Sequence, residues 1–435
     1  MSKKPSRFSK QQQTPNEAGE VVEETGKAPR RPPRVASPIR NLTSNQVVDR
    51  LDEVRARTKI IRNSPAVQRW FRTGLTVLDC AINQGIPGGR VVELSGPEKS
   101  GKSTLAAMIV SEAQKQGGRG DYFDLESGTT VGQLTEMGHC SLDPSHFELW
   151  QPDTAEQAFQ AIDEIIPIVG SSGFPSVIVL DSVPALISEV ELLANYDEEP
   201  QLAQEAKFLR RFFRKNIVRL ARFPNVLVVL VNHLTTPFKT GKNMFERPEP
   251  TTPGGRSPRY YSSVRLRFED NNKGRDFLKS NTGTTVLKRE RPKIFLWKNR
   301  VGAPWRSVVC PLNFVGDPST LTRKGFDSAL CSLEFLRDEN VLVHPRRVRE
   351  EDERVVTDTA RWCLDGYPDA GNRYMDDWVR VYNSDPKIRA VVDDCVVLAA
   401  RHKWTPEEWS DSELITAPED LEDLADLDSA SPVSV

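Results

Sequence analysis

Cysteine is scarce: six residues in 435 (Cys80, Cys140, Cys310, Cys331, Cys363 and Cys395), with no CxxC pair among them. That scatter excludes a disulfide framework and a zinc ribbon, and reads as reduced thiols in a cytosolic protein. The five histidines lack metal-ligand spacing; His139 and Cys140 are adjacent, but nothing nearby completes a site. No apolar run approaches the roughly 20 residues of a membrane helix. The first stretch, MSKKPSRFSKQQQTPNEAGE, has no apolar core, so no secretory signal and no membrane partner are expected. No charge sign dominates either: the formal net charge is −2, and bulk electrostatics do not advertise a nucleic-acid binder. With 38% hydrophobic and 28% charged residues, the chain reads as soluble and globular, long enough for one large core plus satellites.

What charge there is, is unevenly spread. Residues 1–42 carry Lys3, Lys4, Arg7, Lys10, Arg30, Arg31 and Arg34 among Pro, Gln and Glu; they read as a disordered basic tail. Residues 411–435 are acidic, with no Lys or Arg after Lys403. Such asymmetry suggests interaction tails or simply solvated ends. Residues 43–72 offer an oligomerisation helix and linker, with Val47, Val48, Leu51 and Val54 at helical spacing. From 73 to 318 the pattern alternates. RVVELSG, DYFDLES, PSVIVLDS and NVLVVLVNH are short apolar strands, separated by helical stretches such as GKSTLAAMIVSEAQKQGG and TAEQAFQAIDEIIPIV. Continuously apolar strands between helices predict an α/β core with a mostly parallel sheet covered on both faces. SSVRLRFED, TTVLKRERPKIFLWKN and WRSVVCPLNF read as consecutive, antiparallel additions. Residues 319–410 read as a smaller helical region, RVVTDTARWCLDG included.

GPEKSGKST, residues 96–104, fits G-x-x-x-x-G-K-[ST] between a strand and a helix. The backbone from Gly96 through Pro97, Glu98, Lys99, Ser100 and Gly101 would wrap a phosphate, aided by the partial positive charge of the helix start. Lys102 would reach the β- and γ-phosphates, Ser103 would offer its hydroxyl to Mg²⁺, and Thr104 closes the motif. Asp181 ends one hydrophobic strand, where a carboxylate holds a Mg²⁺ shell through water. Glu126 ends another, placed as general base for an attacking water. Either carboxylate could instead cap the next helix. Far along the chain, Lys298 and Arg300 in WKNRVGAPW are two apart after Ile294-Phe295-Leu296. On a strand they share a face, and two cations on one face want an anion, unless they only blunt a strand edge.

These segments together resemble the bacterial and phage RecA-type recombinase family. RTGLTVLDCAINQGIPGGRVVELSGPEKSGKST resembles its lead-in to the nucleotide site, WQPDTAEQA a family signature, and VIVLDSVPAL its Walker B strand. RPEPTTPGGRSPRYYSSVRL resembles the end of its second DNA loop, and KNRVGAP its cross-interface segment. The order is the family's, over about residues 70–315. The resemblance implies a RecA-like P-loop ATPase core that binds ATP and Mg²⁺ between subunits of a helical filament. Lys298 and Arg300 would then be trans fingers on a neighbour's γ-phosphate, and His233, where the family has Gln, the phosphate sensor beside Asn232, with pH sensitivity added by the imidazole.

For DNA, the resemblance implies contacts from Lys239, Lys242, Phe245, Arg247, Gly254, Gly255 and Arg256 in the loop before residue 257, and from Arg211 and Lys215 on the preceding helix. Thr130 and Gln133 stand where the family holds adenine with Asp and Tyr, which puts the base preference in question. The function implied is a DNA-dependent ATPase that pairs and exchanges homologous single- and double-stranded DNA in the bacterial or phage-infected cytoplasm, with single-strand-binding or mediator proteins as candidate partners. The long divergent ends suggest a phage or plasmid version. A ring-forming helicase and a non-catalytic DNA-binding filament or mediator protein are the alternatives.

Overall fold

The computed structural model describes residues 69–195, 204–235, 251–271, 274–279, 283–348 and 355–404. The expected tails 1–42 and 411–435, most of the segment 43–72, and the loop residues Lys239, Lys242, Phe245 and Arg247 lie outside them.

Two short strands, β1 (Trp70–Phe71) and β2 (Ile86–Pro87), pair antiparallel on either side of helix α1 (Thr76–Ile82) in sequence. The alternation follows: β3 (Arg90–Gly96), α2 (Lys102–Gln114), β4 (Arg119–Asp124), β5 (Phe147–Trp150), α3 (Ala155–Ser172), β6 (Ser176–Asp181), α4 (Glu189–Leu193), α5 (Gln204–Leu220) and β7 (Val226–His233). A short α6 (Ser257–Tyr261) then leads to β8 (Val264–Glu269), β9 (Asp276–Lys279), β10 (Thr285–Glu290), β11 (Lys293–Asn299) and β12 (Ser307–Val309). Eight of these strands make one sheet in the order β12-β11-β8-β3-β7-β6-β4-β5. From β8 to β5 every pairing is parallel, and β11 and β12 add antiparallel at one side.

Alternation along the strands sorts side chains between two cores. Val177 and Val179 of β6 join the cluster that holds Leu105 and Ile109 of α2, while Ile178 and Leu180 join the cluster of Phe159 (α3) and Phe213 (α5). With both faces covered, each strand must be apolar throughout, which is why it reads as an unbroken run. The turn into α3 is capped within the PDTAEQA stretch: the Thr154 hydroxyl accepts from the Gln157 N–H, and the helix stops at Gly173 in the left-handed region (φ 76°).

Three expectations change. β8 is parallel to β3, not antiparallel, because it enters the sheet beside β3 after the chain has returned from β7. TTVLKRERPKIFLWKN is two strands in two sheets: Pro292, which has no N–H to donate, separates β10 from β11. β10 pairs instead with β9 and with β13 (Leu312–Asn313), which is joined by β14 (Gly325–Phe326). RVVTDTARWCLDG is not helical. After α7 (Ser328–Asp338), β15 (Leu342–Val343) and β16 (Arg346–Val348) pair with β18 (Cys363–Leu364) and β17 (Val355–Thr357) respectively. A β-branched run, Val355-Val356-Thr357, favours the strand. Helices α8 (Met375–Ser384) and α9 (Pro386–Trp404) follow, and Trp378, Tyr382 and Val392 share one core with Leu75 and Leu78 beside and on α1.

Candidate active site

The phosphate-loop sequence forms a tight turn from the end of β3 into α2. Lys99 and Gly101 take positive φ (59° and 91°), and a Cβ on Gly101 would lie 2.7 Å from Phe326, so the helix start tolerates only glycine there. No side chain caps α2; its first N–H groups face the loop, as an anion requires. Lys102 is 6% exposed and folds back to donate to the Pro97 carbonyl at 2.5 Å, while Ser100 donates to the same carbonyl at 2.8 Å. Burial holds the Lys102 ammonium below its ordinary pKa, opposed by Asp181, Glu126 and Glu98.

Asp181 and Glu126 converge on this loop because β4 and β6 are neighbours in register, with Asp124 opposite Asp181. Burial, the largest cause, raises the Asp181 carboxyl above the usual range, against hydrogen bonds from Tyr122 and Ser103. Glu126 accepts from the Ser182 hydroxyl and lies 3.5 Å from His233 Nε2. The buried Asp124 accepts from the Thr129 N–H at 3.0 Å and shapes the loop after β4. Asp124, Glu126 and Asp181 line a cavity of about 130 Å³ together with Ser103, Thr104, Tyr122 and Gln133. Thr130 and Gln133 bond each other: Gln133 Oε1 accepts from the Thr130 N–H at 2.8 Å and from its hydroxyl at 3.3 Å.

Lys298 and Arg300 do reach one place. Lys298 Nζ donates to the carbonyls of Arg259 (2.6 Å) and Tyr260 (2.9 Å), and Arg300 donates to the Tyr260 carbonyl at 2.6 Å. Together they hold the last turn of α6. Burial, then Arg300, lowers the Lys298 pKa to about 8. Register puts them far from their own phosphate loop. The Arg300 N–H bonds the Ser263 carbonyl, and the Ser263 N–H bonds that of Val91. From Val91 to Gly96 is five residues, roughly 16 Å along a strand at about 3.3 Å per residue.

Sequence reasoning missed the network joining the sensor strand to the loop before α6. Glu93 (0% exposed) sits opposite Arg265 (5% exposed), and Arg265 Nε donates to it. Asn232 Nδ2 donates to Glu93 Oε1 at 2.9 Å and to the Pro253 carbonyl at 3.0 Å, and Arg265 donates to Thr252 at 3.3 Å. The available signal was a charged residue inside each apolar run, RVVELSG and VRLRF, since such charges are buried only when paired. Arg265→Leu strands the Glu93 carboxylate and is expected to cost about 3–5 kcal/mol of stability; urea unfolding measures it.

Of the other DNA-loop residues, Gly254 and Gly255 have φ of 90° and 71°, and a Cβ on Gly254 would lie 2.4 Å from Leu209 on α5. Arg256 is exposed just before α6. Arg211 is exposed on α5, together with Lys207, Arg210 and Arg214; Lys215 is ion-paired with Asp163 of α3.

A family model for the RecA N-terminal domain matches residues 57–316. Among curated relatives, Protein RecA of Mycoplasma mobile is 34% identical over 275 residues, 62% of this chain and 74% of that protein. Protein RecA of Clostridium novyi is 36% identical over 240 residues, covering 54% and 62%, and that of Thermus aquaticus 34% over 243 residues, covering 56% and 66%. The chain thus spans between three fifths and three quarters of these relatives' length.

Proposed function

The chain belongs to the RecA family, and from that premise we propose that it is an ATP-dependent DNA recombinase. It assembles as a helical filament on single-stranded DNA, pairs that strand with a homologous duplex and exchanges strands, in recombination and repair in the cytoplasm. Among the described residues no helix is long and apolar enough to cross a membrane.

The observation that carries the reading is the separation of cradle and cations. Lys102, Ser103, Asp181 and Glu126 gather at one end of the sheet, while Arg300 sits roughly 16 Å and Lys298 roughly 10 Å back along the strands, two strands to the side of β3. Neither side chain spans that distance, so the cations serve the cradle of a second subunit. Within the cradle the loop amides and Lys102 bind the triphosphate and hold its γ-phosphate in line with the attacking water. Glu126, oriented by the Ser182 hydroxyl, takes that water's proton, and His233, 3.5 Å from Glu126, reports on the γ-phosphate. Among the described residues no cluster of three metal-ligating side chains occurs. Mg²⁺ needs none, because it keeps waters and substrate phosphate oxygens in its shell. The all-oxygen pair of Ser103 and Asp181 fits such an ion, and these two side chains would hold it. When bound, Mg²⁺ neutralises charge on the β- and γ-phosphates.

Phosphate release with and without single-stranded DNA, followed by strand exchange on the same preparation, tests the proposal. Electron microscopy with ATP and single-stranded DNA should show helical filaments; closed rings would favour a helicase and end this reading. Glu126→Gln is expected to slow turnover about 10²-fold or more, with nucleotide binding retained in a fluorescent-nucleotide titration.

A further inference from the structure

Tyr122 is fully buried, and its hydroxyl points into the site, toward Asp181, rather than into apolar surroundings. It sits on β4 opposite Val179 of β6, so Asp181 lies two residues further along the neighbouring strand, on the same face. The phenol donates to Asp181 Oδ2 at 2.5 Å, and Ser103 lines the same cavity as both groups. A buried tyrosine hydroxyl needs a partner; here the partner is the one carboxylate proposed to hold the metal's water shell.

We infer that Tyr122 is a positioning residue for Asp181: it occupies one carboxylate oxygen and fixes the plane of the group, so that the other oxygen faces the metal shell beside Ser103. This rests on the nucleotide-site reading given above. The terminal torsion of an aspartate is soft, and a carboxylate flanked by two hydroxyls can settle on either. The phenol is anchored by a packed ring and cannot follow, whereas Ser103 is exposed and free to turn toward the metal. The division of labour is therefore set by rigidity: Tyr122 holds, Ser103 ligates. Phenylalanine at 122 keeps the ring and removes only the donor.

Partners that orient metal-holding carboxylates are commonly worth 10–100-fold in metal affinity. Tyr122→Phe should accordingly raise the Mg²⁺ concentration for half-maximal binding of a fluorescent ADP analogue by about tenfold. Metal-free ADP binding and the thermal midpoint without ligand should stay at the parent values, which a merely structural role would not allow. In an Asp181→Ala background the same substitution should produce no further shift. A Tyr122→Phe protein with the parent Mg²⁺ midpoint, or an added shift in the Asp181→Ala background, overturns the inference. A Tyr122→Phe protein that does not fold would show a structural role for the phenol and likewise overturns the inference. Should the parent protein bind ADP with no Mg²⁺ dependence at all, the nucleotide-site reading fails, and this inference with it.

Discussion

Replacing Lys298 and Arg300 together with alanine is expected to lower DNA-stimulated ATP hydrolysis by about 10³-fold or more, the scale of a lost arginine finger, while each subunit still binds nucleotide. The two cations make no contact with their own cradle; they grip the Arg259 and Tyr260 carbonyls instead. Their removal therefore leaves the phosphate loop, Asp181 and Glu126 untouched. A fluorescent-nucleotide titration alongside a phosphate-release assay separates the two properties. Turnover at the parent rate in the doubly substituted protein would show that each subunit hydrolyses ATP unaided.

Lys102→Ala is expected to abolish turnover, a loss beyond 10³-fold, because it removes the buried cation of the cradle at the point where phosphate charge develops. Folding should survive: the ammonium is disfavoured by burial, as its lowered pKa records, so no stabilising charge is lost with it. Nucleotide raises the melting temperature of a protein that binds it only when folded; that rise should vanish in Lys102→Ala. The two variants also test one another. A Lys102→Ala subunit keeps its cations, and a Lys298→Ala/Arg300→Ala subunit keeps its cradle. Mixed on single-stranded DNA, they should recover part of the turnover that neither shows alone. Co-assembly without recovery would refute a site shared between subunits.

Much of the cradle was legible because its parts are contiguous or periodic. Gly96 to Thr104 is one stretch, and Asp181 is marked by an apolar strand that stops at it; Glu126, expected to end its strand, lies two residues past the end of β4, which stops at Asp124. Lys298 and Arg300 both end on the Tyr260 carbonyl, though the strand is bulged before Lys298 and Arg300 lies one residue past its end, so alternation along β11 does not by itself bring them together. Polar partners inside the sheet were not legible in the same way. Tyr122 looked like one more apolar strand residue, and nothing near it in sequence names Asp181, 59 positions on. Glu93 and Arg265 stand 172 positions apart.

By itself the amino-acid order marked the strands and helices of the parallel core, where the anion-binding turn falls and the strand end at Asp181, since each depends on a few consecutive backbone conformations. Only the tertiary structure decided that α7–α9 share a core with α1, that β10 departs for a second sheet, that Glu93 ties Asn232 to Arg265, and that the distant cations lie too far back to serve their own phosphate loop. Those outcomes depend on strand order and register. Periodicity says which face a side chain takes; it does not say which neighbour will lie across from it.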